Sequence, residues 1–467
     1  MINLNEINPL FESLENLRKD DEHIAVMDNQ NKITYSLLYK FIAYKQREYS
    51  REFRSGDNIL LIVKNQMAFI LDFLCFVSIG CWVIPISENT SEAELKNIKD
   101  KSKAYVKTSD SSSVFCQLNR FMENNEKLDY SNIAKGGILH ITSGTTGEHK
   151  LCVRNLKALC SEGQSYIKCL NLHQDDKILS VCPVIHSFAF GAAVIAGIMA
   201  KSCVYVVDKF VPRQSLKIIE NDKISIVLMV PTIANAICIT KSKKIYDLSS
   251  LRIALVGAGK ITERLYNDFK QIYKIGLSSN YGSTETGGLI SRINDDNFHS
   301  VGFAMPGVKV MVCDSKGKML LPGKEGEIYV KSDSMFYNYY EESHVSLNVE
   351  GYFGMGDIGK KDEDGYIYIL GRIKQIIKIG GKQVNPKEVE AVLLCNPDVL
   401  ECVVCGKIST NGDEYLKAYI IAKNLSGEDI RKFLSKKIES FKIPKVIEFV
   451  NSIEKNTIGK VDYTKLN

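Results

Sequence analysis

From about Asp57 onward, short aliphatic and β-branched runs alternate with longer stretches of helical periodicity. Asn58-Ile59-Leu60-Leu61-Ile62-Val63 predicts a strand, and the apolar stretch through Phe69 to Ile79 a helix packed behind it. Val83-Ile84-Pro85-Ile86 predicts the next strand, with a helix over Glu92–Lys101. Further strands are expected at 202–207, 226–230 and 252–256, with a core helix over 187–200. Alternation of this kind predicts layered α/β sheets with much parallel pairing. Near Pro306 the texture changes to short strands divided by turn residues, at 308–312, 326–330 and 366–370, the last entered through an Asp364-Gly365 turn. After Arg372, about a hundred residues of mixed strands and helices are enough for a small separate domain.

With 467 residues, more than one core is expected. Sixty basic against fifty-five acidic side chains, spread along the chain, give no footprint for a nucleic-acid or membrane partner. The apolar stretch from Met67 to Ile86 is broken by Asp72, Gly80 and Pro85, so a buried helix and strand are expected rather than a membrane span. The N-terminus carries no secretory pattern. Thirteen scattered cysteines suit a reducing cytoplasmic location. Cys402 and Cys405 form a C-x-x-C, but on the strand predicted there they point to opposite faces and cannot share a metal.

Four polar segments carry the candidate chemistry. Thr142-Ser143-Gly144-Thr145-Thr146-Gly147-Glu148-His149-Lys150 follows a predicted strand. Its glycines let the backbone bend towards a ligand, its hydroxyls suit phosphate oxygens, and Lys150 adds a cation. The spacing is not that of the Walker loop. Asn280-Tyr281-Gly282-Ser283-Thr284-Glu285-Thr286-Gly287 combines an aromatic, hydroxyls and a carboxylate able to hold Mg²⁺. Tyr352-Phe353-Gly354-Met355-Gly356-Asp357, with Gly371-Arg372 beyond it, places a carboxylate in a glycine-rich turn suited to ribose hydroxyls. Asn456-Thr457-Ile458-Gly459-Lys460-Val461-Asp462 supplies a lysine near the C-terminus. Read singly, each is also compatible with a surface loop, a helix cap or a solvated charge.

In this order and spacing the segments resemble the adenylate-forming superfamily, which comprises acyl-CoA synthetases, nonribosomal peptide synthetase adenylation domains and luciferases. The resemblance runs from about Ile59 to the C-terminus. It implies a large N-terminal domain of layered α/β sheets over residues 1–372, with a β-rich part at about 306–372. A small mobile C-terminal α+β domain follows over 374–467, with a hinge at Lys374. The family's T-S-G-[ST]-T-G-x-P-K-G has His149 in place of proline and Leu151 in place of glycine. Met355 replaces a frequent threonine, and Tyr463 a frequent arginine.

By residue, the resemblance implies that Thr142, Ser143, Thr145, Thr146 and Lys150 hold the β- and γ-phosphates of ATP, with Gly144 and Gly147 shaping the loop. Tyr281 lies against adenine between Asn280 and Gly282, Thr284 contacts the α-phosphate, and Glu285 binds Mg²⁺, with Thr145 also assigned to the metal. Asp357 grips the ribose with Arg372 nearby, and Lys460 bridges the substrate carboxylate and the α-phosphate. Gly381 belongs to a channel for a pantetheine thiol. His186 and Phe190, in Pro183–Gly191, and the turn Gly257-Ala258-Gly259 line the acid. The lining segment lacks the aspartate that pairs with an α-ammonium in amino-acid-activating members, which favours an aryl or fatty acid.

The expected activity is ATP-dependent formation of an acyl-adenylate from a small carboxylic acid, then thioester formation with coenzyme A. Loading of a separate carrier protein's phosphopantetheine is the alternative, and a non-catalytic nucleotide- or acyl-binding protein a further one. Val256-Gly257-Ala258-Gly259 also invites a dinucleotide reading, but Thr262 stands where that fingerprint needs glycine or alanine.

Overall fold

The computed structural model describes residues 8–15, 22–110, 127–143, 149–240, 246–342, 347, 350–379, 382–409, 414–454, 461 and 463–466. The chain divides into two compact units, residues 1–309 with 331–346, and residues 310–330 with 347–467.

Two sheets build the first unit. The larger has nine strands in the order Phe303–Ala304, Gly287–Arg292, Leu277–Ser283, Ile253–Val256, Ile226–Met229, Lys177–Ser180, Cys203–Val206, Ile24–Met27 and Lys32–Thr34. Its six middle strands, from Leu277–Ser283 to Ile24–Met27, run parallel, and antiparallel strands finish both sides. The second sheet has six strands: Asn338–Tyr339, His149–Asn155, Gly137–Ser143, Trp82–Ser87, Asn58–Val63 and Tyr105–Ser109. The strand expectations at 58–63, 83–86, 202–207, 226–230 and 252–256 are met within a residue or so at their ends.

A single apolar layer joins the inner faces of these sheets. Ile59, Leu61, Val63, Val83 and Ile138 come from the smaller sheet, and Ile178, Val204, Val206, Ile226, Leu228, Ile253 and Leu255 from the larger. Between them lie the helix Gln66–Ser78 and the segment 187–199. Apolar residues surround the first helix on every side, so it can only be an interior helix. Its N-cap Asn65 accepts from the Ala68 amide at 2.7 Å and donates to Asp208 at 2.8 Å, satisfying the helix end as it enters the core. The core helix expected over 187–200 is present but irregular. Ser187–Ala189 and Ala196–Met199 are α-helical, while Phe190–Ile195 forms a wider π turn. Helices Pro212–Asp222, Pro231–Ile239 and Glu263–Tyr273 cover the outer face of the larger sheet.

In the second unit, strands Lys309–Cys313, Glu325–Lys331, Phe353–Lys361 and Ile367–Arg372 form a four-stranded sheet. The turn around Asp364-Gly365 joins the last two, with Gly365 at φ +91° and the Asp362 amide bonded to Tyr366 O at 3.0 Å. A hairpin (Ile377–Ile379 with Lys382–Val384) and a three-stranded sheet (Val399–Ile408, Glu414–Ala422, Val446–Phe449) follow. Helices Pro386–Leu393 and Gly427–Ser435 share with them a core of Val384, Val389, Leu393, Val404, Ile420 and Ile430. Cys402 belongs to this core and Cys405 to a cluster on the other face, as strand alternation requires. No described cysteine is bridged. Among the described residues no helix is long and apolar enough to cross a membrane.

Phe73 sits edge-on to Phe190 with ring centroids 4.8 Å apart, joining the buried helix to the π turn. Phe73→Ala is expected to cost about 3–5 kcal/mol through lost burial and the cavity left behind, read as a lower denaturation midpoint at unchanged slope.

Asp72 is the buried charge of the same helix, facing Ser109, Lys45 and Tyr49. Burial raises its pKa to about 6, against the lowering effects of Ser109, Lys45 and Tyr49. A raised carboxyl favours the fold fully below its unfolded pKa of about 4, and that contribution is lost as pH rises through about 6. Asp72→Asn is therefore expected to remove a loss of roughly 2–3 kcal/mol between about pH 4 and 7, flattening that part of the stability profile measured by urea denaturation.

Candidate active site

Parallel strands of the first unit end in polar loops. Gly137–Ser143 leads into the 142–150 segment, Ile253–Val256 into Gly257-Ala258-Gly259, and Leu277–Ser283 carries Asn280, Tyr281 and Gly282. Crevices at the carboxyl ends of such strands are where α/β sheets bind ligands.

The 280–288 hairpin is shaped by close approaches. Gly282 and Gly287 face each other so closely that a Cβ on Gly282 would run into Gly287 O. Gly287 has φ +70°, a conformation that glycine adopts without strain. Asn280 accepts from the buried Tyr166 hydroxyl at 3.1 Å, and Thr286 Oγ1 accepts from the Ser283 amide at 3.1 Å. Tyr281 is half-buried on the same strand.

Residues 336–342 join this hairpin to the phosphate-loop strand. The Phe336 amide donates to Glu285 O at 2.6 Å, and the Tyr339 hydroxyl donates to Glu285 Oε1 at 2.9 Å. The Lys150 ammonium lies 4.6 Å from the centre of the Tyr339 ring and 2.7 Å from Glu342 Oε1. One tyrosine thus touches both the loop lysine and the expected metal carboxylate. Desolvation, then the charge of Glu285, hold the Tyr339 hydroxyl protonated, far above its ordinary range. Thr142 Oγ1 donates to Lys150 O at 3.4 Å across paired strands.

Glu285 is half-buried, with Oε1 taken by Tyr339. A hard carboxylate oxygen suits Mg²⁺, which is commonly bound through one or two carboxylates with phosphates and water completing its shell. Among the described residues no group of three or more His, Cys, Asp or Glu side chains forms a metal cage.

On the acid side, Gly257 backs onto the Phe188 ring, which a Cβ would approach to 2.8 Å. Ala258 has φ +61°, unusual for a side-chain-bearing residue and a mark of a locally constrained turn, while Gly259 packs on Pro231. His186 stands at the start of Ser187–Ala189, its carbonyl accepting from Phe190 N at 2.9 Å.

Sequence reasoning misses a buried polar layer behind these loops. Arg154 and Glu162 are fully buried and paired at 2.8 Å. His140 is also buried, its ring 5.5 Å from Phe190, with neither ring nitrogen hydrogen-bonded. Burial first, then Arg154 and His186, hold it neutral by lowering its pKa well below the usual histidine range. Tyr339 and Glu342 escape notice as well, because their partners lie far away in sequence. A charged residue within the amphipathic helix Leu156–Leu170 gives no local sign of a partner, so Glu162 is illegible too.

In the second unit, Asp357 is nearly buried, and Arg372 Nε bonds its Oδ1 at 2.8 Å across paired strands. Lys374 is exposed in the short turn Ile373–Gln375. Gly144, Thr145, Thr146, Gly147, Gly381 and Lys460 lie outside the described residues.

The AMP-binding enzyme family model matches residues 138–340, and the AMP-binding enzyme C-terminal domain model matches 388–460. YdaB of Bacillus subtilis (strain 168), provisionally named an acyl-CoA ligase, is 29% identical over 96% of each chain. The medium-chain fatty-acid–CoA ligase of Escherichia coli (strain K12) is 27% identical, covering 94% of this chain and 86% of that one. The crystal structure of ATP-bound MatB from Rhodopseudomonas palustris superposes with a TM-score of 0.89 over 98% of both chains at 23% identity, which establishes the shared fold. The chain belongs to the adenylate-forming superfamily of AMP-binding enzymes. Its class is that of the acid–thiol ligases, which use ATP to activate a carboxylic acid.

The Lys150–Glu342 pair is half-exposed, so solvent screens it and it contributes only about 0–1 kcal/mol. Glu342→Gln is expected to shift Tm by no more than about 2 °C. With Lys150 expected to hold ATP phosphates, the variant should bind ATP about two- to five-fold more tightly in calorimetric titration.

Proposed function

We propose that this chain activates an aryl or aliphatic carboxylic acid as its acyl-adenylate and passes the acyl group to coenzyme A. The observation that carries this reading is the contact of Tyr339 with both Lys150 and Glu285. It supports the reading by bringing Lys150, assigned to phosphate, and Glu285, assigned to Mg²⁺, against one tyrosine.

The chemistry explains the need for both. A carboxylate attacking the α-phosphate approaches a group of its own charge, and negative charge then accumulates on the departing pyrophosphate. Fixed positive groups stabilise that change without reorganising. Lys150, with Thr142, Ser143, Thr145 and Thr146, is assigned to the β- and γ-phosphates, Thr284 to the α-phosphate and Tyr281 to adenine. Glu285 would hold Mg²⁺, which supplies charge neutralisation across the phosphates. Asp357 is assigned to the ribose, with Arg372 setting its rotamer, and Lys460 to the bridge between substrate carboxylate and α-phosphate.

For the acid, the half-buried Phe188 offers an apolar face, with the fully buried Phe190 packed behind it on Phe73, and no carboxylate occurs in 183–191. Glu162 packs against Gly191 but is neutralised by Arg154, so it is not available to an α-ammonium. An acid without that amine is therefore favoured, and the fatty-acid ligase among the relatives supports the aliphatic side of the choice. Turning at Lys374 after adenylation would withdraw Lys460 and admit the thiol past Gly381. Cysteines scattered without a disulfide framework suit a cytoplasmic setting.

ATP–pyrophosphate exchange across aryl, fatty and amino acids tests the first step. Exchange with aryl or fatty acids is expected, with a loss of at least about a hundred-fold in folded Lys460→Ala. Exchange confined to amino acids, or undiminished in the variant, would overturn the assignment. Thioester formation with coenzyme A is expected to outrun that with a phosphopantetheinylated carrier protein, and the reverse order would make carrier loading the function.

A further inference from the structure

The buried Arg154–Glu162 pair lies behind two parts of the site that belong to different reactants. Arg154 is on the strand His149–Asn155, on the same strand as Lys150, and Glu162 is on the helix Leu156–Leu170 that follows.

Glu162 meets four residues at once. Its Oε2 takes Arg154 Nη2 at 2.8 Å, and its Oε1 accepts from the Gly288 amide at 2.9 Å. Its carboxylate also fills the space behind Gly191, where a Cβ would collide with Oε1, and behind Gly287, where a Cβ would lie 2.5 Å away. Arg154 in turn donates through Nε and Nη2 to Ser334 O at 3.2 and 2.9 Å, and Ser334 Oγ donates to Thr286 O at 2.8 Å. Thr286 and Gly287 directly follow Glu285, and Gly191 is the second residue of the π turn, beside Phe190.

A fully buried ion pair is a poor device for stability, because desolvating two charges offsets most of their attraction. It is a good device for fixing position, because each charge must find its partners in one arrangement. The geometry points to Glu162, oriented by Arg154, as a positioning residue that holds the Glu285 turn in register with the acid-lining π turn. This rests on the nucleotide and acid assignments proposed above. Glu162 touches neither reactant; it acts through the Gly288 amide and the backbone at Gly191.

Two variants separate positioning from packing. Arg154→Met with Glu162→Met removes both charges together and keeps an apolar interior, but leaves the Gly288 amide without its acceptor. Glu162→Gln keeps an acceptor for Gly288 but leaves the Arg154 charge unpaired. The double variant is expected to melt a few degrees below the wild type, because hydrophobic replacement of a buried pair is often neutral while the unmet Gly288 amide is destabilising. Exchange of amide hydrogens in a 282–290 peptide is expected to be at least about ten-fold faster in it, with exchange in 66–78 unchanged. Its Mg²⁺ requirement for ATP binding, read by calorimetry, is expected to rise about ten-fold. Glu162→Gln is expected to melt lower while keeping 282–290 protection and Mg²⁺ dependence within about three-fold of wild type. Unchanged protection of 282–290 in the double variant would overturn the proposal, and so would equal loss in a folded Glu162→Gln. Hydrogen exchange needs no substrate, so failure of the nucleotide assignment would show as absent ATP binding with the exchange pattern intact.

Discussion

The apolar layer between the two sheets of the first unit is the constraint on which the rest depends. The helix Gln66–Ser78 has no polar face to give to water, and the 187–199 segment is nearly as apolar. Both must be covered from two sides, and the second sheet provides that cover. Once the sheets are fixed face to face, the carboxyl ends of their parallel strands are fixed as well. Lys150, Gly257 and Glu285, distant in sequence, then come to lie on one compact unit.

Polar groups placed within that layer carry a second kind of constraint. Arg154, Glu162, His140 and Asp72 are buried where apolar side chains would pack without a desolvation penalty. Glu162 meets a guanidinium and backbone beside the active loops, whereas Asp72 faces Ser109 on the smaller sheet and Lys45 and Tyr49 on the helix Tyr35–Tyr49. The first arrangement ties the backbone at Gly288 to a buried guanidinium. The second makes stability depend on pH. The same physical penalty thus has different consequences according to what the buried group touches.

Much of the fold is legible because parallel strands and their covering helices leave periodic apolar runs. The strands around Ile59, Val83, Ile226 and Ile253, the Asp364-Gly365 turn and the opposed faces of Cys402 and Cys405 can be read in this way. Of the candidate site, Lys150, Asn280, Tyr281 and Glu285 stand out because glycines and hydroxyls cluster around them. Tyr339 does not, since an aromatic in a tyrosine-rich stretch looks like any other until its strand pairs with His149–Asn155. The π turn at Phe190–Ile195 reads as ordinary helix in the sequence, because apolar periodicity does not register one extra residue in a turn.

By itself, the sequence determined the α/β layering, the interior helix, the ordered motifs and the chemical types available at each, since these follow from local composition and spacing. Tertiary structure decided which of those groups meet. Tyr339 reaches Glu285 and Lys150, and Glu162 reaches Gly288, across separations of 54, 189 and 126 residues in the chain. No local pattern encodes such pairs, because a hydrogen bond or a buried ion pair depends on distance in space, which only the packed sheets supply.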